Sequence, residues 1–122
     1  MKKVMTVDDS ITVRKVLCET LSAAGYDVIE AVNGRDAISK LEAQPVDVLV
    51  TDLNMPELDG VGLIRHVRGV AGNRFLPIIM LTSETQPEKR QEGKDAGASG
   101  WITKPFKPAQ LLTVMRMICP SI

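Results

Sequence analysis

Five polar side chains stand where four short apolar runs end, and their types suit phosphoryl chemistry. Val4-Met5-Thr6-Val7 runs into Asp8 and Asp9, and Val46-Asp47-Val48-Leu49-Val50-Thr51 runs into Asp52. Pro77-Ile78-Ile79-Met80-Leu81 runs into Thr82, and Gly100-Trp101-Ile102-Thr103 runs into Lys104. A single Asp at a strand end reads as a cap, but the whole set is hard to explain that way. Three converging carboxylates repel one another and raise at least one pKa. A divalent cation relieves this, and an all-oxygen set with few protein ligands suits Mg²⁺, which keeps several waters. Mg²⁺ beside a carboxylate, with an ammonium and a hydroxyl opposite, neutralises a phosphoryl group from several sides. Phosphoryl transfer is catalysed by that kind of positioning and charge stabilisation. An Asp can then act as nucleophile and form an acyl phosphate.

These side chains converge only if the elements carrying them lie side by side. The 46–52 stretch is nearly unbroken in apolar residues and rich in β-branching, as in a strand buried on both faces of a parallel sheet. Asn54, Met55 and Pro56 then turn the chain, since Pro56 cannot continue a ladder. A first strand over 4–7 precedes a helix that Asp9 or Ser10 can cap, with Val13, Val16, Leu17, Leu21 and Ala24 on one face and Gly25 as its stop. The more polar run 28–31 reads as an edge strand. Asn33-Gly34 opens a second helix with Ala37, Ile38 and Leu41 inward, and Pro45 separates it from the central strand. Leu58-Asp59-Gly60 starts a third helix through Val61, Ile64, Val67 and Arg68, with 69–73 as its frayed end. Pro87 sits in the first turn of a fourth, which Gly93 weakens by ~1 kcal/mol relative to Ala and Gly97 ends. Pro108 opens a fifth, through Leu111, Leu112, Met115 and Ile118.

Strand and helix alternate throughout, without repeat or linker, which predicts a doubly wound α/β fold of the flavodoxin-like type. Its five-stranded parallel sheet takes the order 2-1-3-4-5, with five helices and a switch point between strands 1 and 3. In that order strands 1, 3, 4 and 5 are adjacent. Ligands of open parallel sheets sit outside the carboxyl ends of the strands, which is where the five polar residues fall.

Composition narrows the partners. The 122 residues suit one domain, with 44% hydrophobic and 25% charged residues. Lys plus Arg balances Asp plus Glu at 15 each, so nothing points to nucleic acid or an anionic membrane. One Trp, one Tyr and two Phe make no stacking platform for bases. No run approaches the ~20 apolar residues of a membrane span, and the N-terminal apolar run is too short for a signal peptide. Cys18 and Cys119 match no metal or redox spacing and read as reduced thiols, a disulfide being the minor alternative. The expectation is a soluble cytoplasmic protein.

The motifs Val7-Asp8-Asp9-Ser10, Asp52-Leu53-Asn54-Met55-Pro56-Glu57-Leu58-Asp59-Gly60, Leu81-Thr82-Ser83-Glu84 and Ala96-Gly97-Ala98-Ser99-Gly100-Trp101-Ile102-Thr103-Lys104-Pro105-Phe106 resemble those of the receiver domain of two-component response regulators. The resemblance spans 3–117 and is closest to the single-domain chemotaxis regulators of the CheY type. It implies a signalling switch that takes a phosphoryl group from a sensor histidine kinase on Asp52. Asp9 would hold Mg²⁺ directly and Asp8 largely through water, with Asp52 and the backbone carbonyl of Asn54 as further ligands. Lys104 would contact the phosphoryl oxygens, and Thr82 would bond one of them and shift on activation. Trp101 falls at the switch aromatic position, where Tyr or Phe is more usual. The Lys104–Pro105 bond is expected to be cis. Asn54 and Glu84 occupy positions that tune phosphoryl lifetime. Thr103 replaces a more usual aliphatic residue. Output would be by protein contact through the helix 4–strand 5–helix 5 face, to a flagellar motor or another effector, with a phosphatase as a further partner.

Other readings compete. The chain could be a receiver domain cut from a larger regulator, or a pseudo-receiver read without phosphate. It could be an aspartate-nucleophile phosphohydrolase of the haloacid dehalogenase type, although that class places its nucleophile after strand 1 in an Asp-x-Asp pattern. A nucleotide-binding module lacks a Gly-rich loop after strand 1. His66 reads as a surface residue rather than a phosphodonor, and the methionines as core filling, with a partner surface as the alternative for Met115 and Met117. The run 88–95 reads as a solvated helix face or, through the family resemblance, as part of the output surface.

Overall fold

The computed structural model describes residues 2–69, 71–83 and 86–119. Among them strands and helices alternate as β1 (Lys3–Val7), α1 (Ile11–Ala23), β2 (Asp27–Ala31), α2 (Gly34–Ala43), β3 (Val48–Asp52), α3 (Gly60–Arg68), β4 (Ile78–Ser83), α4 (Pro87–Ala96), β5 (Gly100–Lys104) and α5 (Pro108–Ile118). The strands pair in parallel in the order β2-β1-β3-β4-β5, with the polar β2 at the edge. No helix among the described residues is long and apolar enough to cross a membrane.

The sheet is buried on both sides, so its central strands carry apolar residues on both faces rather than at alternate positions, with Thr6 and Thr51 as buried polar exceptions within them. Met5, Val7, Leu49 and Met80 face one core with Ala37 of α2 and Leu63, Ile64 and Val67 of α3. Val4, Val48, Val50, Ile79 and Leu81 face the other, against Leu17 and Leu21 of α1 and Leu111 and Met115 of α5. Local chemistry sets the helix starts. Ser10 Oγ accepts the Val13 N–H at 3.3 Å, Asn33 Oδ1 the Asp36 N–H at 2.8 Å, and Asp59 Oδ1 the Gly62 N–H at 2.8 Å. Gly93 is the one residue of α4 fully buried, and a side chain there would collide with the Met80 sulfur. Gly93 thus lets α4 lie against β4 with Met80 in its present position, at the expense of helix propensity.

Several boundaries differ from the pattern-based expectation. β3 starts at Val48, because Asp47 bonds the backbone of Lys3 instead, accepting its N–H on Oδ2 at 2.7 Å and donating its own N–H to the Lys3 carbonyl at 2.8 Å. β4 starts at Ile78 rather than Pro77 and ends, as expected, at Thr82 and Ser83. α3 ends at Arg68, and the chain beyond it stays tied to the helix: the Ala71 N–H reaches the His66 carbonyl and the Asn73 N–H the Val67 carbonyl, both at 2.9 Å, while Val70 lies outside the described residues. Val16, expected inward, is 38% exposed, since α1 meets the sheet through Leu17 and Leu21. Met5, Met80 and Met115 fill the cores, but Met117 is 79% exposed. Cys18 and Cys119 are both free thiols.

Candidate functional site

Strand register assembles the site. Val7 pairs with Thr51, so Asp8 and Asp52 follow level positions on neighbouring strands. Asp52 pairs with Leu81, and Ser83 pairs with Lys104, which puts Thr82 and Lys104 at the same carboxyl edge. One carboxylate oxygen from each of Asp8, Asp9 and Asp52 lies within 4.8 Å of the others. Asp8 is fully buried and Asp52 nearly so, while Asp9 opens to solvent. Lys104 Nζ bridges the two buried carboxylates, 2.9 Å from Asp8 Oδ2 and 3.2 Å from Asp52 Oδ1.

The charges do not balance within this cluster. Burial raises the pKa of Asp52 above its ordinary value, the charge of Asp8 adds to that, and Lys104 offsets only part. For Lys104, burial would lower the ammonium, but the hydrogen bond to Asp8 and the charges of Asp52 and Asp8 outweigh it and hold its pKa up. An ion pair of two would lower its acid. Here one ammonium serves two buried carboxylates and sits closer to Asp8, so Asp52 stays short of positive charge. Asp52 Oδ1 also accepts the Leu53 N–H at 2.9 Å. Thr82 is 1% exposed, and its Oγ1 has no hydrogen-bond partner among the described residues. A buried hydroxyl without a partner is costly, and this one stands at the same carboxyl edge as Asp52 and Lys104.

The loop after Asp52 is tightly wound. The Leu58 N–H bonds the Pro56 carbonyl at 2.9 Å across Glu57, whose φ of 70° makes a γ-turn that a non-glycine residue rarely adopts. Gly60 then returns against the strand, its N–H on the Leu53 carbonyl at 3.0 Å. A Cβ at Gly60 would run into the Asp52 carbonyl oxygen and lie 2.8 Å from Leu53 Cα. Because the obstacle is backbone, Gly60→Ala is expected to cost about 2–3 kcal/mol in urea unfolding and to displace the turn that presents Asp52.

The remaining expected site residues fall around this edge. Asn54 follows the acidic strand end, and its side-chain amide donates to Gln86 Oε1, at the N-cap position of α4. Trp101 is 42% exposed on the α4 side of β5, with the Lys94 ammonium 5.0 Å and the Arg90 guanidinium 5.6 Å from its ring centroid. The Lys104–Pro105 peptide bond is cis. Glu84 lies outside the described residues. His66 sits in the last turn of α3, lining a groove with Ile38, Leu41 and Leu76 that is separate from the carboxylates. Two partners were not evident in the sequence, Gln86 beside Asn54 and Lys89, whose ammonium lies 3.0 Å from Asp59 Oδ2.

A model of the response regulator receiver domain matches residues 4–116. The chain belongs to that family. This receiver domain is 42% identical over 120 residues to the chemotaxis protein CheY1 of Helicobacter pylori strain J99, covering 95% of both chains. It superposes on the chemotaxis protein CheY4 of Vibrio cholerae with a TM-score of 0.90 and 46% identity, covering 97% of this chain and 98% of that one. It also superposes on the receiver domain of the sensor histidine kinase PA1611 from Pseudomonas aeruginosa PAO1, solved with a magnesium ion in its active-site cleft. There the TM-score is 0.87 and the identity 29%, over 96% of each chain. The chain is therefore a phosphorylation-activated switch of the response-regulator type.

Proposed function

We propose that Asp52 is the phosphoacceptor of this receiver domain, that a histidine kinase supplies the phosphoryl group, and that the chain serves a chemotaxis pathway. The observation that carries this is the convergence of Asp8, Asp9 and Asp52 with Lys104 and the buried Thr82 hydroxyl, unpartnered among the described residues, at one sheet edge. The chemotaxis assignment is supported by the two CheY relatives. Three carboxylates against a single ammonium, with oxygen donors only, fit Mg²⁺, which Asp9, Asp52 and the backbone carbonyl of Asn54 would hold, with Asp8 acting largely through water. When bound, the ion supplies charge neutralisation for the phosphoryl oxygens and for the acidic cluster.

In the transfer, an Asp52 carboxylate oxygen attacks the phosphorus, and the bond to the donor breaks with its electron pair leaving on the donor. The product is an acyl phosphate. The Lys104 ammonium moves its contact from the Asp52 carboxylate to the incoming oxygens, and the Thr82 hydroxyl donates to one of them. Water later attacks the phosphorus, releasing inorganic phosphate and the free carboxylate. The chain acts on its own phosphoryl group and not as an enzyme on external substrates. Asn54 and Glu84 fall at the sequence positions that tune the lifetime in this family, on which a phosphatase would also act. Output runs by contact of the α4–β5–α5 face with a flagellar motor or another effector. The free thiols fit a reducing cytoplasm.

Incubation with Mg²⁺ and acetyl phosphate tests the reading by intact mass. One base-labile phosphoryl group per chain supports it, and no gain from a folded protein refutes it.

Trp101 is the proposed switch aromatic. Thr82 pairs with Thr103, two residues along β5 from Trp101, and both Thr82 and Trp101 lie on the α4 face of the sheet. A Thr82 drawn toward a phosphoryl group would open space for the ring to turn inward. Two cations over the ring hold it outward, each by roughly 0.5–1 kcal/mol. The double variant Arg90→Gln, Lys94→Gln is therefore expected to make Trp101 less accessible to acrylamide quenching before any phosphorylation. By reciprocity, it should also shift the phosphorylation equilibrium toward the acyl phosphate several-fold. Unchanged quenching would remove the cations from the switch.

A further inference from the structure

The geometry points to Arg14 as a positioning residue for the metal-binding carboxylate pair, an inference that rests on the Mg²⁺ reading above. Arg14 lies on the first turn of α1, its N–H bonded to the carbonyl of the cap residue Ser10 at 3.0 Å. From there its side chain folds back toward the strand end. Nη1 donates to the Asp8 carbonyl at 2.7 Å. The guanidinium is largely buried, its side chain only 15% exposed, and its Nε lies 3.7 Å from Glu30 Oε1 on β2.

The Asp8 carbonyl belongs to the peptide plane that joins Asp8 to Asp9. Rotating that plane swings the Cα–Cβ directions of both residues, so whatever holds it aims both carboxylates. The Asp8 side chain is held at both oxygens, by the Ser10 N–H at 2.8 Å and by Lys104 at 2.9 Å. Asp9 is exposed, with no comparable side-chain anchor among the described residues. Its direction is left to the backbone that Arg14 fixes. A rigid, always-charged fork suits this task better than a water molecule, because it is carried by α1 and braced by Glu30. Groups that orient metal ligands in this way commonly change metal affinity about 10- to 100-fold when removed.

Electrostatics alone predicts the opposite sign. Arg14 is a cation near a cation site, so removing its charge without disturbing geometry should tighten Mg²⁺ binding. The experiment is an Mg²⁺ titration of the purified chain, followed by the backbone amide shifts of Asp8, Asp9 and Asp52, which also report the fold. The native chain should bind Mg²⁺, Arg14→Met about tenfold more weakly, and Arg14→Lys at an intermediate affinity. Glu30→Gln should stay within about twofold of native, since the bond to Asp8 survives. Arg14→Met binding as tightly as native, or more tightly, overturns the inference. If Arg14→Met does not fold, native affinity in Arg14→Lys overturns it and a severalfold loss supports it. A native chain that takes up no Mg²⁺ brings down the metal reading and the inference together, which separates the two failures.

Discussion

Asp52→Asn is expected to lose phosphoryl uptake by at least ~10³-fold and, in the absence of metal, to be more stable than the native chain at pH 7. The first effect removes the nucleophile. The second follows from the charge imbalance. Burial and the neighbouring Asp8 raise the pKa of Asp52 in the folded state above its ordinary 3.8, so folding favours the protonated carboxyl. The stability that this contributes is complete below 3.8 and is lost as pH rises through the higher folded value. At pH 7 the native fold carries an ionised, nearly buried carboxylate that shares one ammonium. Each unit of elevation corresponds to about 1.4 kcal/mol. Asn keeps the shape without the charge, and Lys104 keeps Asp8 as partner. Thermal unfolding across pH 4–7 should show the variant ahead at pH 7 and the gap closing toward pH 4. Adding Mg²⁺ should raise the melting temperature of the native chain more than that of the variant. A variant less stable than native across this range would contradict the imbalance described for the site.

Lys104→Met is expected to be the most damaging single change at the site. It leaves Asp8, with a side chain 1% exposed, and Asp52, at 11%, without the ammonium between them. Breaking a buried pair by removing one partner typically costs about 3–5 kcal/mol, far more than an exposed bridge would. Phosphoryl uptake should fall by roughly 10²–10³-fold, the usual effect of losing one fixed positive contact to the developing charge. Mg²⁺ should restore part of the stability by mass action, about 2.7 kcal/mol at a hundred times its dissociation constant. The native pair has its own pH signature. Because the folded-state pKa of Lys104 is raised, its contribution is full below 10.5 and is lost as pH rises through the higher folded value. Urea titrations with and without Mg²⁺ would measure these effects. A loss below 1 kcal/mol would mean that solvent, not Lys104, stabilises the two carboxylates.

Much of the molecule was determined by the sequence alone, because the signals are local. Ser10, Asn33 and Asp59 cap helices with their own side chains, and Pro87 and Pro108 start helices where no N–H is needed. The alternation of buried strands and helices leaves few topologies, and the order 2-1-3-4-5 brings four strand ends together. Once that order holds, Asp8, Asp9, Asp52, Thr82 and Lys104 must meet.

The tertiary structure decided whatever depends on residues distant in sequence. It divided Lys104 unequally between two acids and left the Thr82 hydroxyl without a partner among the described residues. It set Asn54 against Gln86, put two α4 cations over Trp101, and turned Arg14 back onto the Asp8 carbonyl. It also showed that Gly93 and Gly60 are packing requirements at Met80 and Asp52, where sequence alone shows only a weak point in a helix or a helix start. None of these follows from periodicity or propensity. A side chain's partner depends on register, crossing angle and burial, which are fixed only when the elements pack.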